Sequence, residues 1–148
     1  MAEIVVETVR SITPELVAAF ERLIPQSHPT LPTPTVAELD QVVESPATTL
    51  LVARDPESAE VIGTATVVLY RTPSRMHARL ENVVVDEPAR GRGAGAALTS
   101  EAVRLAQDRG ASVIELNTNP RREVANRLYQ RLGFERHYTN NYWIKFEL

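Results

Sequence analysis

The sequence contains no cysteine, which excludes disulfides, thiolate metal sites and a cysteine nucleophile. Lysine is almost as scarce, Lys145 standing alone, and the formal net charge is -3. Arginine supplies the rest of the positive charge, and the net charge of -3 argues against non-specific nucleic-acid binding, so nucleic acid is not an expected partner. No apolar run approaches the ~20 residues of a membrane span. Residues 1–10 lack the basic segment, apolar core and small-residue cleavage site of a signal peptide. A cytoplasmic protein without a membrane partner is expected. No histidine pair has metal-binding spacing, so no metal is expected. Glycine is sparse too, at six residues, yet three fall within Arg90-Gly91-Arg92-Gly93-Ala94-Gly95. The others, Gly63, Gly110 and Gly133, read as one strand irregularity and two helix stops.

With 148 residues, 43% apolar and 24% charged, the chain fits one globular domain spanning residues 1–148. Alternating polarity and β-branched residues predict a first strand over residues 3–9. Thr13 and Pro14 then suit the N-cap and first position of a helix burying Leu16, Val17, Phe20 and Leu23. Four prolines among residues 24–35 predict an extended loop, followed by a second helix opened by a Thr35/Glu38 capping box. Strands over 48–54 and 61–70 form a hairpin, and a fourth strand occupies about 78–85. A helix from the glycine cluster to Arg109 carries Leu98, Ala102, Leu105 and Ala106 at core spacing and stops at Gly110. A fifth strand over 112–117, a helix with Val124, Ala125, Leu128 and Leu132 that closes at Gly133, and two short strands near 135–138 and 142–147 complete the chain. The strand-helix-strand unit over 78–117 predicts a parallel crossover. The remainder reads as antiparallel, giving an α/β fold with a mixed sheet and helices on both faces.

The glycine cluster stands between a strand and a helix, where a tight turn and unpaired first-turn N–H groups make an anion site. Gly91, Gly93 and Ala96 satisfy the loose dinucleotide pattern G-x-G-x-x-A. In that fold, however, the first glycine follows its strand directly and a much longer alternating domain follows. Here residues 86–90 intervene and little chain remains, so a dinucleotide-dependent oxidoreductase is the disfavoured reading. A Walker A loop is excluded, since no Gly-Lys-Ser/Thr follows.

Two stretches together resemble one family. Val83-Val84-Val85-Asp86, a short turn and Arg90-x-x-Gly93-x-Gly95 resemble the acyl-CoA pyrophosphate loop of the GNAT N-acetyltransferases, with its pattern Q/R-x-x-G-x-G/A. Ala125-Asn126-Arg127-Leu128-Tyr129, followed by Gly133-Phe134, resembles that family's C-terminal signature, in the same order and at about the same separation. The resemblance implies a mostly antiparallel sheet of six to seven strands whose fourth and fifth strands run parallel and splay apart. It also implies acetyl-CoA (coenzyme A) as acyl donor and an amine-bearing small molecule or peptide as acceptor.

Acetyl transfer from a thioester to an amine needs an anchor for the donor, a donor of hydrogen bonds to the developing oxyanion, a neutral nucleophile and a proton for the leaving thiolate. The resemblance assigns the pyrophosphate to the N–H groups of about Arg92, Gly93, Ala94, Gly95 and Ala96, with Gly91 shaping the turn and Arg90 and Arg92 adding charge. It assigns the pantetheine arm to the backbone of Val83, Val84 and Val85, whose side chains read as ordinary core. An alkylamine of pKa ~10.4 is neutral in about one molecule in 2,500 at pH 7, a handicap of roughly 4.6 kcal/mol, so a general base is useful. Glu81 matches the position of a family glutamate and, by period two, is expected to share a face with Val83 and Val85. A base and a structural or substrate-binding carboxylate remain alternative readings of it. Tyr129 matches the tyrosine that protonates the thiolate in many relatives, with core packing as the alternative. Asn126 resembles an asparagine that bonds pantetheine or phosphate, although relatives often carry theirs upstream, where this chain has Arg122. Asn117, at the end of the fifth strand, is either a pantetheine ligand or a turn former. The acceptor is chosen by segments 25–35, 71–77 and 136–141, none of which carries a readable motif. Tyr142, Trp143, Ile144 and Phe146 form an apolar stretch that suits either core burial or a homodimer through the C-terminal strands. A non-catalytic acyl-CoA sensor of the same fold is the competing functional class.

Overall fold

Five strands form one sheet in chain order: β1 (Val5–Thr8), β2 (Thr48–Arg54), β3 (Val61–Arg71), β4 (Met76–Val85) and β5 (Val113–Glu115). This computed structural model describes residues 3–147, which fall into two compact units dividing between Asn117 and Thr118. The first four strands pair antiparallel, and β5 joins β4 in parallel. Helices α1 (Pro14–Ser27) and α2 (Val36–Glu44) lie between β1 and β2 in the chain, and α3 (Ala94–Asp108) connects β4 to β5.

Local chemistry sets the helix starts. Thr13 accepts a hydrogen bond from the Leu16 N–H at 3.3 Å, and Thr35 and Glu38 make the reciprocal pair of a capping box. The expected loop from residue 24 begins later, because α1 runs through Pro25 to Ser27. Proline removes one helical N–H, and this last turn is instead pinned from outside. The Gln26 amide donates to Asp86 at 2.9 Å and accepts from the Glu87 N–H at 3.0 Å, while Arg22 donates to the Val61 carbonyl at 2.7 Å.

Register settles the two faces of the sheet. Leu50 opposes Thr66, Val52 opposes Thr64, and Thr64 opposes Val84. Leu50, Val52 and Val84 of this face join a core with Leu16, Phe20 and Leu23 of α1 and Leu39 of α2. On the other face α3 approaches so closely that a Cβ on Gly63 would meet Leu98 Cδ1 at 3.1 Å.

Between Glu81 and Val84 the ladder slips. Thr66 opposes Glu81 and Thr64 opposes Val84, so two β4 residues, Asn82 and Val83, face the single Ala65. Asn82 takes φ 51°, and the result is a β-bulge. A bulge reverses the alternation, so Glu81 shares its face with Val84 rather than with Val83 and Val85, as strict period two implies.

Pairing between β4 and β5 covers only His77–Arg79 against Val113–Glu115. Beyond Arg79 no described strand pairs with that edge of β4, which is the splay expected of a parallel fourth and fifth strand. β5 ends at Glu115, so Asn117 lies two residues past it and not within it.

In the second unit, α4 (Glu123–Arg131) ends in a Schellman cap. The Phe134 N–H donates to the Tyr129 carbonyl at 2.9 Å, the Gly133 N–H donates to Gln130 at 3.1 Å, and Gly133 takes φ 99°. The two expected C-terminal strands do not form, and the described sheet has five strands, not six or seven. Alternating apolar residues register a preference for a half-buried pleated surface but do not supply a partner, and a strand exists only in a ladder. Among the described residues no helix is long and apolar enough to cross a membrane.

Candidate active site

Gly91 and Gly93, at φ 80° and 92°, turn the chain from a short 3-10 segment (Glu87–Ala89) into α3. Residues with a Cβ rarely take that conformation, so glycine is required here by dihedral and not by crowding: a Cβ added to either would find no atom within 4 Å. The first helical bond runs from the Ala97 N–H to the Gly93 carbonyl at 3.0 Å. Among the described residues, the N–H groups of Gly93, Ala94, Gly95 and Ala96 have no acceptor within the chain. Together with the helix dipole they suit the oxygens of a pyrophosphate.

Both loop arginines are already engaged. Arg90 Nε donates to the Val85 carbonyl at 3.1 Å, tying the loop back to the end of β4. Arg92 pairs with Asp55 of the β2–β3 turn. Val83, Val84 and Val85 present a strand edge that β5 does not cover, and one of its carbonyls, that of Val85, is taken by Arg90. The loop and this edge therefore lie at consecutive positions along β4 and α3.

Glu81 is half-exposed, and its Oε1 accepts from Arg79 Nε at 3.0 Å. Arg79 also donates through Nη2 to Asn117 Oδ1, and its Nη1 stands 3.8 Å from Glu115 Oε2. Glu81 and Asn117, two of the residues singled out in the sequence, are thus joined through a third that was not. A usable signal existed, since Arg79 stands two residues from Glu81 on one strand and so shares its face. Next along the row, His77 stacks on Tyr70 with centroids 4.7 Å apart, and its Nδ1 lies 3.7 Å from Glu115 Oε1.

Within the second unit, Tyr129 is buried on α4 and packs edge-on against Phe134 at 5.8 Å. Burial raises its phenol above the ordinary 10.0, with Arg122 acting weakly in the opposite direction. Its hydroxyl has no hydrogen-bond partner among the described residues. The Asn126 side-chain amide donates to the Asn119 carbonyl at 3.0 Å and to the Arg122 carbonyl at 2.8 Å. Both of its N–H groups therefore serve the start of α4, and only its oxygen stays open to a ligand.

A helix start with unpaired N–H groups beside a strand edge that β5 leaves uncovered, on a mixed sheet with a splayed parallel pair, defines the chain as an α/β protein of mixed-sheet class. The chain belongs to the acetyltransferase (GNAT) family, whose family model matches residues 12–134. It is 35% identical over 68 residues to an uncharacterised N-acetyltransferase of Methanocaldococcus jannaschii, a match covering 46% of this chain and 30% of that relative's length. Among solved structures, a transcriptional regulator from Bacillus halodurans C-125 aligns with TM-score 0.80 at 22% identity, covering 97% of this chain and 100% of the other. An aminoglycoside N-acetyltransferase in complex with CoA aligns with TM-score 0.79 at 19% identity, covering 97% and 95%. At these identities the structural likenesses establish the fold.

Proposed function

We propose that both units act as one domain that transfers an acetyl group from acetyl-CoA to a primary amine by direct attack in a ternary complex. The observation that carries this reading is the run of four unpaired N–H groups from Gly93 to Ala96, adjoining the open edge of β4. Acetyl-CoA is a substrate consumed at each turnover. Its pyrophosphate suits the loop, and its pantetheine amides suit the β4 edge from Val83 to Val85, where a backbone N–H can donate to the thioester oxygen as charge develops. Asn117 supplies a further amide contact, and Asn126 one through its oxygen.

Glu81 takes a proton from the ammonium, directly or through water, and the neutral amine so formed attacks the thioester carbonyl. The C–N bond forms, the C–S bond breaks, nitrogen releases its second proton to solvent, and Tyr129 gives its phenolic proton to the departing thiolate and regains one from solvent. That assignment of Tyr129 rests on the family signature and on a phenol that stays protonated through neutral pH. The exposed carboxylates of Glu81 and Glu115 favour cationic acceptors, so polyamines and aminosugars come first in a panel, a choice consistent with an aminoglycoside N-acetyltransferase among the solved structures of similar fold. The pairing of Glu81 with Arg79 is what favours the second reading, a CoA-binding sensor without turnover. We also propose a homodimer, formed by the apolar C-terminal segments of two copies.

The test is thiol release from acetyl-CoA with polyamines, aminoglycosides, amino acids and peptides as acceptors. Acceptor-dependent release is expected, with kcat reduced about 100-fold or more in Glu81→Gln and about tenfold or more in Tyr129→Phe. Because burial raises the Tyr129 phenol from its ordinary value, loss of its proton should not limit kcat through neutral pH, which a pH profile of kcat checks. Tight CoA binding with no release for any acceptor, in wild type as in the variants, would favour the sensor.

A further inference from the structure

We propose that Arg79 is a positioning residue that sets the geometry of the candidate base and of a pantetheine-binding amide at once; this rests on the acetyltransferase reading. Arg79 occupies the last rung of the β4–β5 ladder, opposite Glu115, at the point where the two strands begin to part. Its three guanidinium nitrogens face three different groups: Glu81 from Nε, Asn117 from Nη2 and Glu115 near Nη1. No strand pairing holds the segment containing Asn117, so this contact is a side-chain link across the mouth of the splay.

A guanidinium donates hydrogen bonds and accepts none. Asn117 must therefore turn its carbonyl oxygen toward Arg79, which leaves its NH2 to donate elsewhere, and a pantetheine carbonyl is the matching acceptor. Equally, Arg79 occupies Oε1 of Glu81, and Oε2 has no partner among the described residues, so one carboxylate oxygen is fixed and the other is offered to the amine. The remaining titratable groups on this row are Glu115 and His77, with Tyr70 stacked on the imidazole. Lysine at position 79 could keep the ion pair with Glu81, but a single ammonium lacks the planar fork that reaches both partners in fixed directions.

Double-mutant cycles test this directly. CoA affinity is measured by calorimetry for wild type, Arg79→Met, Asn117→Ala and the pair. Steady-state kcat is measured for wild type, Arg79→Met, Glu81→Gln and the pair. Thermal melts verify folding, with Arg79→Lys as the milder variant. Arg79→Met is expected to weaken CoA binding and lower kcat, each by about tenfold. The affinity loss should vanish in the Asn117→Ala background and the kcat loss in the Glu81→Gln background. Arg79→Lys should recover most of kcat and little of the CoA affinity. Additive losses in both cycles would assign Arg79 a purely structural role and overturn the inference. If no acceptor is ever turned over, the acetyltransferase reading fails by itself, while the CoA cycle still decides whether Arg79 orients Asn117.

Discussion

Asp55 holds an arginine that a phosphate would also use. The Glu57 and Ser58 N–H groups donate to its Oδ1 at 2.8 and 3.0 Å, and Arg92 pairs with its Oδ2. The Arg92 hydrogen bond, followed by those two N–H groups, lowers the carboxyl from 3.8 to about 2. Since the folded value is depressed, the stabilisation from this pair is present above pH 3.8 and is lost as pH falls toward 2. Across neutral pH Asp55 is a constant negative charge that would compete with the proposed pyrophosphate for Arg92. Asp55→Asn keeps an acceptor for the turn and removes that competition. CoA affinity by calorimetry should rise about two- to fivefold, the scale of an exposed ion pair, with a steeper dependence on salt. A loss of affinity would mean instead that Asp55 aims Arg92 at the ligand.

Elements whose cause is local could be read from the sequence, and those whose cause is tertiary could not. The caps at Thr13 and Thr35, the helix stops at Gly110 and Gly133 and the glycine turn each follow from a few adjacent residues, and the structure has them in those places. The bulge at Asn82 defeats a period-two reading because nothing in the alternation announces an extra residue. The reach of α1 through Pro25 depends on Asp86 and Glu87, some 60 residues away in the chain. The face that Arg79 shares with Glu81 could be read from their spacing, but its contact with Asn117 could not, since Asn117 lies 38 residues away and past the end of β5. The most local feature is also the most directly testable. Gly93→Ala forces a Cβ onto φ 92°, a strain of about 1–2 kcal/mol, with no atom near enough to clash. Gly93→Asp adds a carboxylate beside the N–H groups proposed to hold phosphate. CoA affinity should fall about tenfold in the first and on the order of 100-fold or more in the second. Equal losses in the two variants would show that strain alone matters and that no anion sits there.

At the scale of the whole molecule the outstanding tension is an apolar segment over residues 138–146 whose large side chains are exposed among the described residues. Tyr138, Tyr142, Trp143, Ile144 and Phe146 are between 77% and 86% exposed, far more than a solitary surface aromatic would require. Such a segment is a liability in a lone chain, and in the proposed homodimer the same segment on a second copy would cover it symmetrically, as isologous contacts do. Trp143 is the sole tryptophan, so its emission reports this segment alone. At micromolar concentration the chain should sediment as a dimer with blue-shifted tryptophan emission. Phe146→Ser with Ile144→Ser should shift it to monomer, redden the emission and leave CoA affinity within about twofold, because neither residue belongs to the glycine loop or the β4 edge. A wild-type monomer with red emission would mean that the segment stays bare in solution. A wild-type monomer with blue emission would mean that it folds back onto its own chain, and either result would remove the dimer.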